Sequence, residues 1–158
     1  MRKYDKREMD YFGAKEKALR LLEYRNHSKK ELERKLKLAG AQDGDIKKVI
    51  EFLEEYSLIN DRDYAKRLAL DLQNLKKYGK RRIYSELAQR GIEPEYIEEA
   101  INELAEFDFD EFLEMVKKRI KGDFEKKNKD RVIRYFLNKG YSFDQIREAV
   151  SELENNFS

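Results

Sequence analysis

The sequence of 158 residues contains no cysteine, one proline and a single histidine, His27. Without cysteine the chain can form no disulfide, no thiolate nucleophile and no cysteine-ligated zinc or iron–sulfur cluster. A single histidine also excludes a two-histidine metal site, and no partners can be named for it in a Ser/His/Asp triad. We therefore expect a protein that is not an enzyme and that uses no cofactor and no metal. A reducing cytoplasm is the compartment that fits a chain without cysteine.

Long hydrophobic runs are missing as well. No stretch approaches the ~20 apolar residues that span a bilayer, and residues 1–12 contain no apolar run typical of a signal peptide. One proline and seven glycines leave few residues suited to hairpin turns, whereas the good helix formers Lys, Glu, Leu, Arg and Ala dominate. The composition predicts an all-α protein with no membrane partner.

Three segments, 28–53, 79–104 and 128–153, align with one another without a gap. The aligned columns are Leu32/Ile83/Val132, Leu36/Leu87/Phe136, Gly40/Gly91/Gly140, Ile46/Ile97/Ile146, Ile50/Ile101/Val150 and Leu53/Leu104/Leu153. Apolar residues at i and i+4 on either side of the glycine predict two amphipathic helices in each segment. The glycine stands where a helix commonly ends in a left-handed residue, so Gly40, Gly91 and Gly140 are assigned a structural role.

Helix caps support this interpretation. Ser28 with Glu31, and Ser142 with Gln145, have the spacing of a capping box, in which a hydroxyl and a carboxylate or amide satisfy each other's backbone N–H groups. Pro94 is expected at the first position of a helix, where its missing N–H costs nothing. His27 is expected to face solvent or to pack beside the Ser28 cap.

A further amphipathic segment precedes each helix pair, at residues 14–25, 61–76 and 108–125. In the second of these segments the predicted apolar positions include Tyr64, Leu68, Leu72 and Leu75. Each unit is therefore predicted to be a three-helix module of about 50 residues, and stacked modules would form an elongated, curved helical array. The predicted organisation is a basic N-terminal extension at 1–13 followed by three-helix repeats at 14–60, 61–107 and 108–158.

The net charge of +2 conceals a strong segregation of charge along the chain. Residues 62–90 contain nine Lys or Arg against three Asp or Glu, residues 91–114 contain ten acidic residues and no basic one, and residues 115–139 contain ten basic residues against three acidic ones. In each predicted repeat the first two helices are basic and the third is acidic. A polyanion or an acidic groove is a natural partner for the basic side.

Three motifs in this order resemble the bacterial RecX regulatory proteins. They are the run RNHSKKELERKL at 25–36, LINDRDYA at 58–65, and GKRRIYSEL at 79–87 with RGI at 90–92. The resemblance covers residues 14–153. It implies tandem three-helix repeats and a modulator of RecA, the recombinase that polymerises on single-stranded DNA. Members of this family are taken to lodge in the groove of the RecA filament and to suppress its ATPase and strand exchange.

Ser28 and Glu31 would then serve as caps, and Tyr64 and Gly91 would maintain the architecture of the repeat. Charge alone assigns the face that would contact RecA or single-stranded DNA: Arg25, Lys76, Lys77, Lys80, Arg81, Arg82, Lys117, Lys118, Arg119, Lys126 and Lys127. The protein is expected to act as a monomer.

Two alternatives stay open at this point. The first is a DNA-binding protein that uses its helix pairs as a helix-turn-helix, although residues 93–114 carry no Lys or Arg that could contact phosphates in a major groove. The second is a general protein-interaction scaffold, which would depend on neither RecA nor DNA.

Overall fold

The helical periodicity of the sequence produces nine α-helices in the computed structural model, which describes residues 9–157. The helices are α1 (Tyr11–Tyr24), α2 (Lys29–Leu38), α3 (Asp43–Glu55), α4 (Asp61–Asn74), α5 (Lys80–Gln89), α6 (Pro94–Asn102), α7 (Phe109–Ile120), α8 (Lys126–Asn138) and α9 (Phe143–Phe157). Over these residues β pairing is confined to one isolated bridge between Met9 and Ala41. The all-α prediction is confirmed, and the helices follow one another as tandem three-helix repeats.

The helix ends confirm the predicted local signals. Ser28 Oγ accepts from the Glu31 N–H and the Glu31 carboxylate accepts from the Ser28 N–H, both at 3.1 Å, which completes a capping box. Ser142 and Gln145 make the same reciprocal pair. Pro94 is the first residue of α6. Gly40, Gly91 and Gly140 have φ values of +100°, +74° and +100°, in the left-handed region that favours glycine.

Two predicted helix boundaries are wrong. The helix α1 begins at Tyr11, ahead of the expected start at residue 14, because the Asp10 carboxylate caps it by accepting from the Gly13 N–H at 2.8 Å. The helix α7 ends at Ile120 rather than at residue 125, because Lys121 and Gly122 adopt left-handed φ values of +52° and +69°. The predicted basic extension at 1–13 falls largely on residues 1–8, which lie outside the described residues.

One predicted apolar stripe also differs in the structure. The helix α4 buries Ala65, Ala69 and Leu72, whereas Leu75 follows the last helical residue and is 77% exposed. The small residues Ala65 and Ala69 form most of the buried face of α4, so a pattern of large apolar residues did not predict this face correctly.

The described chain divides into two compact units, one of residues 9–68 with 87–100 and the other of residues 69–86 with 101–157. In the first unit the helices α1, α2 and α3 pack around a core that includes Ala14, Ala18, Leu32, Leu36, Val49 and Leu53. In the second unit α7, α8 and α9 pack around Phe112, Val116, Ile120, Val132, Phe136 and Ile146. The division into repeats at 14–60, 61–107 and 108–158 stays a prediction.

Candidate binding surface

The loop between α4 and α5 presents two of the predicted basic residues, Lys76 and Lys77. Lys77 adopts a left-handed φ of +56°, a conformation that costs a residue with a side chain about 1–3 kcal/mol and persists only where its surroundings hold it. The Tyr141 hydroxyl provides such a hold by donating to the Lys77 carbonyl at 2.7 Å. Both lysine side chains are exposed to solvent.

The last turn of α7 presents the next group, Lys117, Lys118 and Arg119. Phe112, Val116 and Ile120 form the buried stripe of this helix, so the intervening basic residues are left exposed. Cations at the carboxyl end of a helix interact favourably with its dipole, which adds to the stability of α7.

The second unit brings these two groups together in a shallow groove of about 340 Å³. We call it the basic groove; it is lined by Lys76, Lys77, Met115, Lys118, Arg119, Tyr135, Phe136 and Lys139. Five of these eight residues are cations and none is a carboxylate. Four of the eleven residues of the predicted binding face thus meet at one site.

Tyrosine rings hold the cations of this region. Arg119 Cζ lies 3.5 Å from the centroid of the Tyr135 ring, while Lys139 Nζ lies 5.4 Å from the same centroid and 5.1 Å from that of Tyr78. Arg82 Cζ lies 4.7 Å from the Tyr78 centroid on the other side of this series. Cations and rings therefore alternate from Arg119 to Arg82, each contact being an attraction between a positive charge and a ring quadrupole.

Arg82 forms hydrogen bonds with a carboxylate and with a backbone carbonyl of the second unit. Its Nε donates to Glu86 and its Nη1 donates to the Asn138 carbonyl, each at 2.9 Å. The hydrogen bond to Glu86 raises the pKa of the Arg82 guanidinium above its usual value. The adjacent Gly79 N–H donates to the Lys139 carbonyl at 2.8 Å, so this end of α5 is attached to the turn that follows α8.

The remaining predicted cations of the second unit lie elsewhere on its surface. Lys80 and Arg81 line a second cavity of about 340 Å³, which also contains Glu106, Asp108 and Glu111 and is therefore of mixed charge. Lys77 reaches Glu111 at 3.2 Å and belongs to both cavities. Three exposed lysines do not line the basic groove: Lys117, Lys126 and Lys127.

Arg25 lies in the first unit and forms an ion pair there. Its guanidinium donates to the Glu31 carboxylate at 2.8 Å and to the Tyr64 hydroxyl at 3.3 Å. Glu31 is only 5% exposed, and although burial by itself raises the pKa of this carboxyl, the hydrogen bonds from Arg25 and from the Ser28 N–H lower it below its usual value. Arg25 and Tyr64 thus complete the surroundings of the α2 cap.

The same cap connects α2 to the turn that follows α5. Ser28 Oγ donates a short hydrogen bond to the Arg90 carbonyl, and the neighbouring Gly91 lies so close to Lys30 that an added Cβ would be 2.6 Å from the Lys30 Cβ. His27 is buried beside this cap, so the alternative of a solvent-facing histidine is wrong. These contacts agree with the structural roles predicted for Ser28, Glu31 and Gly91.

Tyr135 and Lys139 are the two polar residues of the basic groove that the sequence analysis did not assign to the binding face. Tyr135 lies in the last turn of α8, and Lys139 is the C-cap residue of this helix, directly before the turn glycine Gly140. The sequence shows that residues 115–139 are rich in basic residues. It does not indicate which of their side chains lie next to Lys76 and Arg119 in the folded protein.

Neither a metal centre nor a membrane segment emerges from the described residues. From residue 9 to residue 157, histidine and carboxylate side chains do not gather in a group of three that could hold a metal ion. Over the same range, every helix falls short of the length and apolar character that crossing a membrane requires. The tandem three-helix repeats define the chain as a helical-repeat protein, and its second unit presents a cation-lined groove.

Comparison with known proteins specifies this class further. Residues 14–53 match the family model described as the first three-helix domain of RecX, and residues 60–101 match its second three-helix domain. The chain is 35% identical over 150 residues to the regulatory protein RecX of Vibrio parahaemolyticus, which covers 94% of this chain and 96% of the relative. It is 34% identical over 149 residues to the regulatory protein RecX of Clostridioides difficile, covering 92% of this chain and 70% of the relative.

A solved structure agrees with these relatives. The crystal structure of RecX from Lactobacillus salivarius superposes with a TM-score of 0.73 at 25% identity, covering 92% of this chain and 97% of that one. The chain belongs to the RecX family of regulatory proteins, and it is a regulator rather than an enzyme.

Proposed function

We propose that this protein binds the RecA filament on single-stranded DNA and inhibits its ATPase and strand-exchange activities in recombination and DNA repair. Membership of a family of regulatory proteins is the observation that carries the proposal. The basic groove supports it, since a filament built on DNA carries phosphates, which five clustered cations would attract.

Within this proposal Lys76, Lys77, Lys118 and Arg119 are the primary contacts, and Lys139 joins them. Lys80, Arg81, Lys117, Lys126 and Lys127 are exposed on the same unit and would add long-range attraction. Arg25 and Arg82 already have carboxylate partners in their own units, so we propose that they support the surface through the structure.

The direct test is the single-stranded-DNA-dependent ATPase of RecA, titrated with this protein from substoichiometric to equimolar amounts. Binding of the protein to bare single-stranded DNA is measured in parallel. We expect inhibition at concentrations well below those that coat free DNA. Inhibition that appears only when free DNA is coated would contradict a filament regulator and would indicate competition for DNA.

Charge reversal tests where the filament is bound. Lys118→Glu together with Lys76→Glu should raise the concentration needed for half-inhibition by roughly tenfold or more, because each reversal replaces an attraction with a repulsion in the groove. The matched control is Lys47→Glu with Lys48→Glu, which makes the same charge change on exposed lysines of α3. Circular dichroism should show equal helical content in both variants. Equal inhibition by the two variants would remove the basic groove from the binding surface.

Direct, sequence-independent DNA binding is the second candidate function, and the absence of carboxylates among the lining residues of the basic groove favours it. A protein that acts through DNA phosphates alone loses affinity steeply as salt rises. Inhibition of RecA whose salt dependence equals that of bare DNA binding would favour this second function.

A further inference from the structure

The cations of the basic groove are held in an unusual way. A lysine or arginine that is positioned by a carboxylate has its charge largely neutralised where it lies. Arg119 and Lys139 are positioned instead by the Tyr135 ring, at 3.5 Å and 5.4 Å from its centroid, and a neutral ring leaves the full positive charge available to a ligand.

Lys77 shows the difference within the same groove. Its Nζ reaches the Glu111 carboxylate at 3.2 Å, so part of its charge is compensated inside the protein. The two cations held by tyrosine therefore carry more of the attraction for an anion than the cation count of the groove suggests.

The aromatic rings of the groove are poorly placed to stack on bases. Proteins that bind single strands through bases use aromatic faces that are open to the ligand. Arg119 Cζ lies 3.5 Å from the centroid of the Tyr135 ring. Tyr78, which lies outside the lining residues of the groove, has Arg82 and Lys139 as cationic neighbours. Phe136 is only 2% exposed. The groove thus offers five cations to a ligand, while Arg119 already lies against the ring of Tyr135 and the ring of Phe136 is buried.

We infer that the basic groove binds the phosphodiester backbone of a nucleic-acid strand without reading its bases, and that Tyr135 is the positioning residue that holds Arg119 and Lys139 toward that backbone. The inference rests on the proposed function, because the strand would be the DNA within the filament.

An acidic protein segment is the alternative ligand, and the groove suits it less well. Protein interfaces derive most of their affinity from apolar and aromatic anchors that enter desolvated pockets. Among the lining residues the Phe136 side chain is buried in the core and Arg119 lies against the Tyr135 ring, which leaves Met115 as the apolar side chain available for such an anchor. The regularly spaced phosphates of a nucleic-acid backbone require only cations for binding.

The first experiment compares ligands for the full chain by fluorescence anisotropy. We expect a single-stranded thymidine oligonucleotide and an abasic deoxyribose-phosphate strand of equal length to bind within about twofold of each other. A loss of roughly tenfold or more on the abasic strand would overturn the inference in favour of base stacking. Displacement of the oligonucleotide by poly-glutamate of equal charge would overturn it in favour of an acidic protein segment.

The second experiment tests the positioning role of Tyr135. Tyr135→Phe keeps the ring and should bind the abasic strand as the parent protein does. Tyr135→Leu should weaken binding by roughly fivefold and make the dependence of log K on log salt shallower, because two cations lose their fixed positions. Tyr96→Leu is the control; Tyr96 is a half-buried tyrosine of the first unit with Arg62 Cζ 5.4 Å from its ring centroid. An unchanged salt slope in a folded Tyr135→Leu protein would refute the positioning role.

The RecA ATPase assay separates failure of this inference from failure of the proposed function. If Tyr135→Leu loses affinity for the abasic strand but still inhibits RecA fully, the groove is a phosphate-binding site that is not needed for binding to the filament. If the abasic strand does not bind while the parent protein inhibits RecA, the regulator is retained and the phosphate site is refuted.

Discussion

At the scale of single residues, His27 shows how a buried polar side chain is accommodated. It is 2% exposed, its Nδ1 lies 2.9 Å from the Arg25 carbonyl and its Nε2 lies 2.9 Å from Lys35 Nζ. A carbonyl can only accept and an ammonium can only donate, so Nδ1 carries the proton and Nε2 accepts. Protonation of Nε2 would place a second cation directly against Lys35, and the neutral ring is therefore favoured.

Acidification should reduce stability through this residue. Burial, and the nearby charges of Arg25 and Lys35, lower the pKa of His27 below its ordinary value of 6.5, although the hydrogen bond to the Arg25 carbonyl opposes the shift. As the pH drops below 6.5, His27 becomes protonated in the unfolded chain while it stays neutral in the folded chain, so the free energy of unfolding falls. This fall ends once the pH is below the pKa of His27 in the folded state, because both states are then protonated.

Urea unfolding between pH 7.5 and pH 5 measures this effect. His27 is the single histidine of the chain, so His27→Gln should remove most of the pH dependence in this interval. A parent protein with equal stability at both ends of the interval would show that His27 is not held in its neutral form.

At the scale of structural elements, the turn after α5 depends on a glycine for two separate reasons. Gly91 has a φ of +74°, and its Cα lies against the methylene stem of Lys30, where an added Cβ would be 2.6 Å from the Lys30 Cβ. Gly44 offers a matched contrast, since it lies in the first turn of α3 and an added Cβ would have no neighbour within 4 Å.

Replacement of the two glycines by alanine should change stability in opposite directions. Gly91→Ala should lower the free energy of unfolding by about 1–3 kcal/mol, because a side chain is strained at this φ and must displace Lys30. Gly44→Ala should raise it by about 0.5–1 kcal/mol, because alanine loses less entropy in a helix. Chemical denaturation of the two variants measures both changes, and equal stabilities would contradict the role assigned to the Gly91 turn.

At the scale of the whole molecule, local arrangement of charge matters more than its total. The net charge is +2, a value that predicts little affinity for a polyanion, whereas the basic groove holds five cations among eight lining residues. Attraction between charges is screened beyond about 10 Å at moderate ionic strength, so a strand in the groove responds to the groove and weakly to distant carboxylates.

Two double variants separate net charge from local charge. Glu95→Gln with Glu98→Gln raises the net charge by two on exposed positions of α6, and Lys118→Gln with Lys139→Gln lowers it by two within the groove. At 0.15 M salt we expect the α6 variant to bind single-stranded DNA within about twofold of the parent protein and the groove variant to bind roughly tenfold more weakly. Changes of equal size in the two variants would show that binding follows total charge.

The sequence by itself determined the features that depend on near neighbours in the chain. Apolar residues at i and i+4, the caps at Ser28 and Ser142, and the glycines that permit left-handed turns require only local backbone geometry, so the repeat and its helices could be predicted. The same local information failed at α4, where small alanines replaced the expected large apolar stripe.

Only the tertiary structure decided which charged residues share a site. The basic groove draws on the loop after α4, the last turn of α7 and the end of α8, and these segments meet because the buried stripes of α7 and α8 pack together in one core. The same packing placed the Tyr135 ring of α8 against Arg119 of α7. The ion pair of Arg82 with Glu86 spans one helical turn and lay within reach of sequence reasoning. The contact of Arg119 with Tyr135 joins two helices, so charge counted along the sequence could not show that a ring positions this arginine.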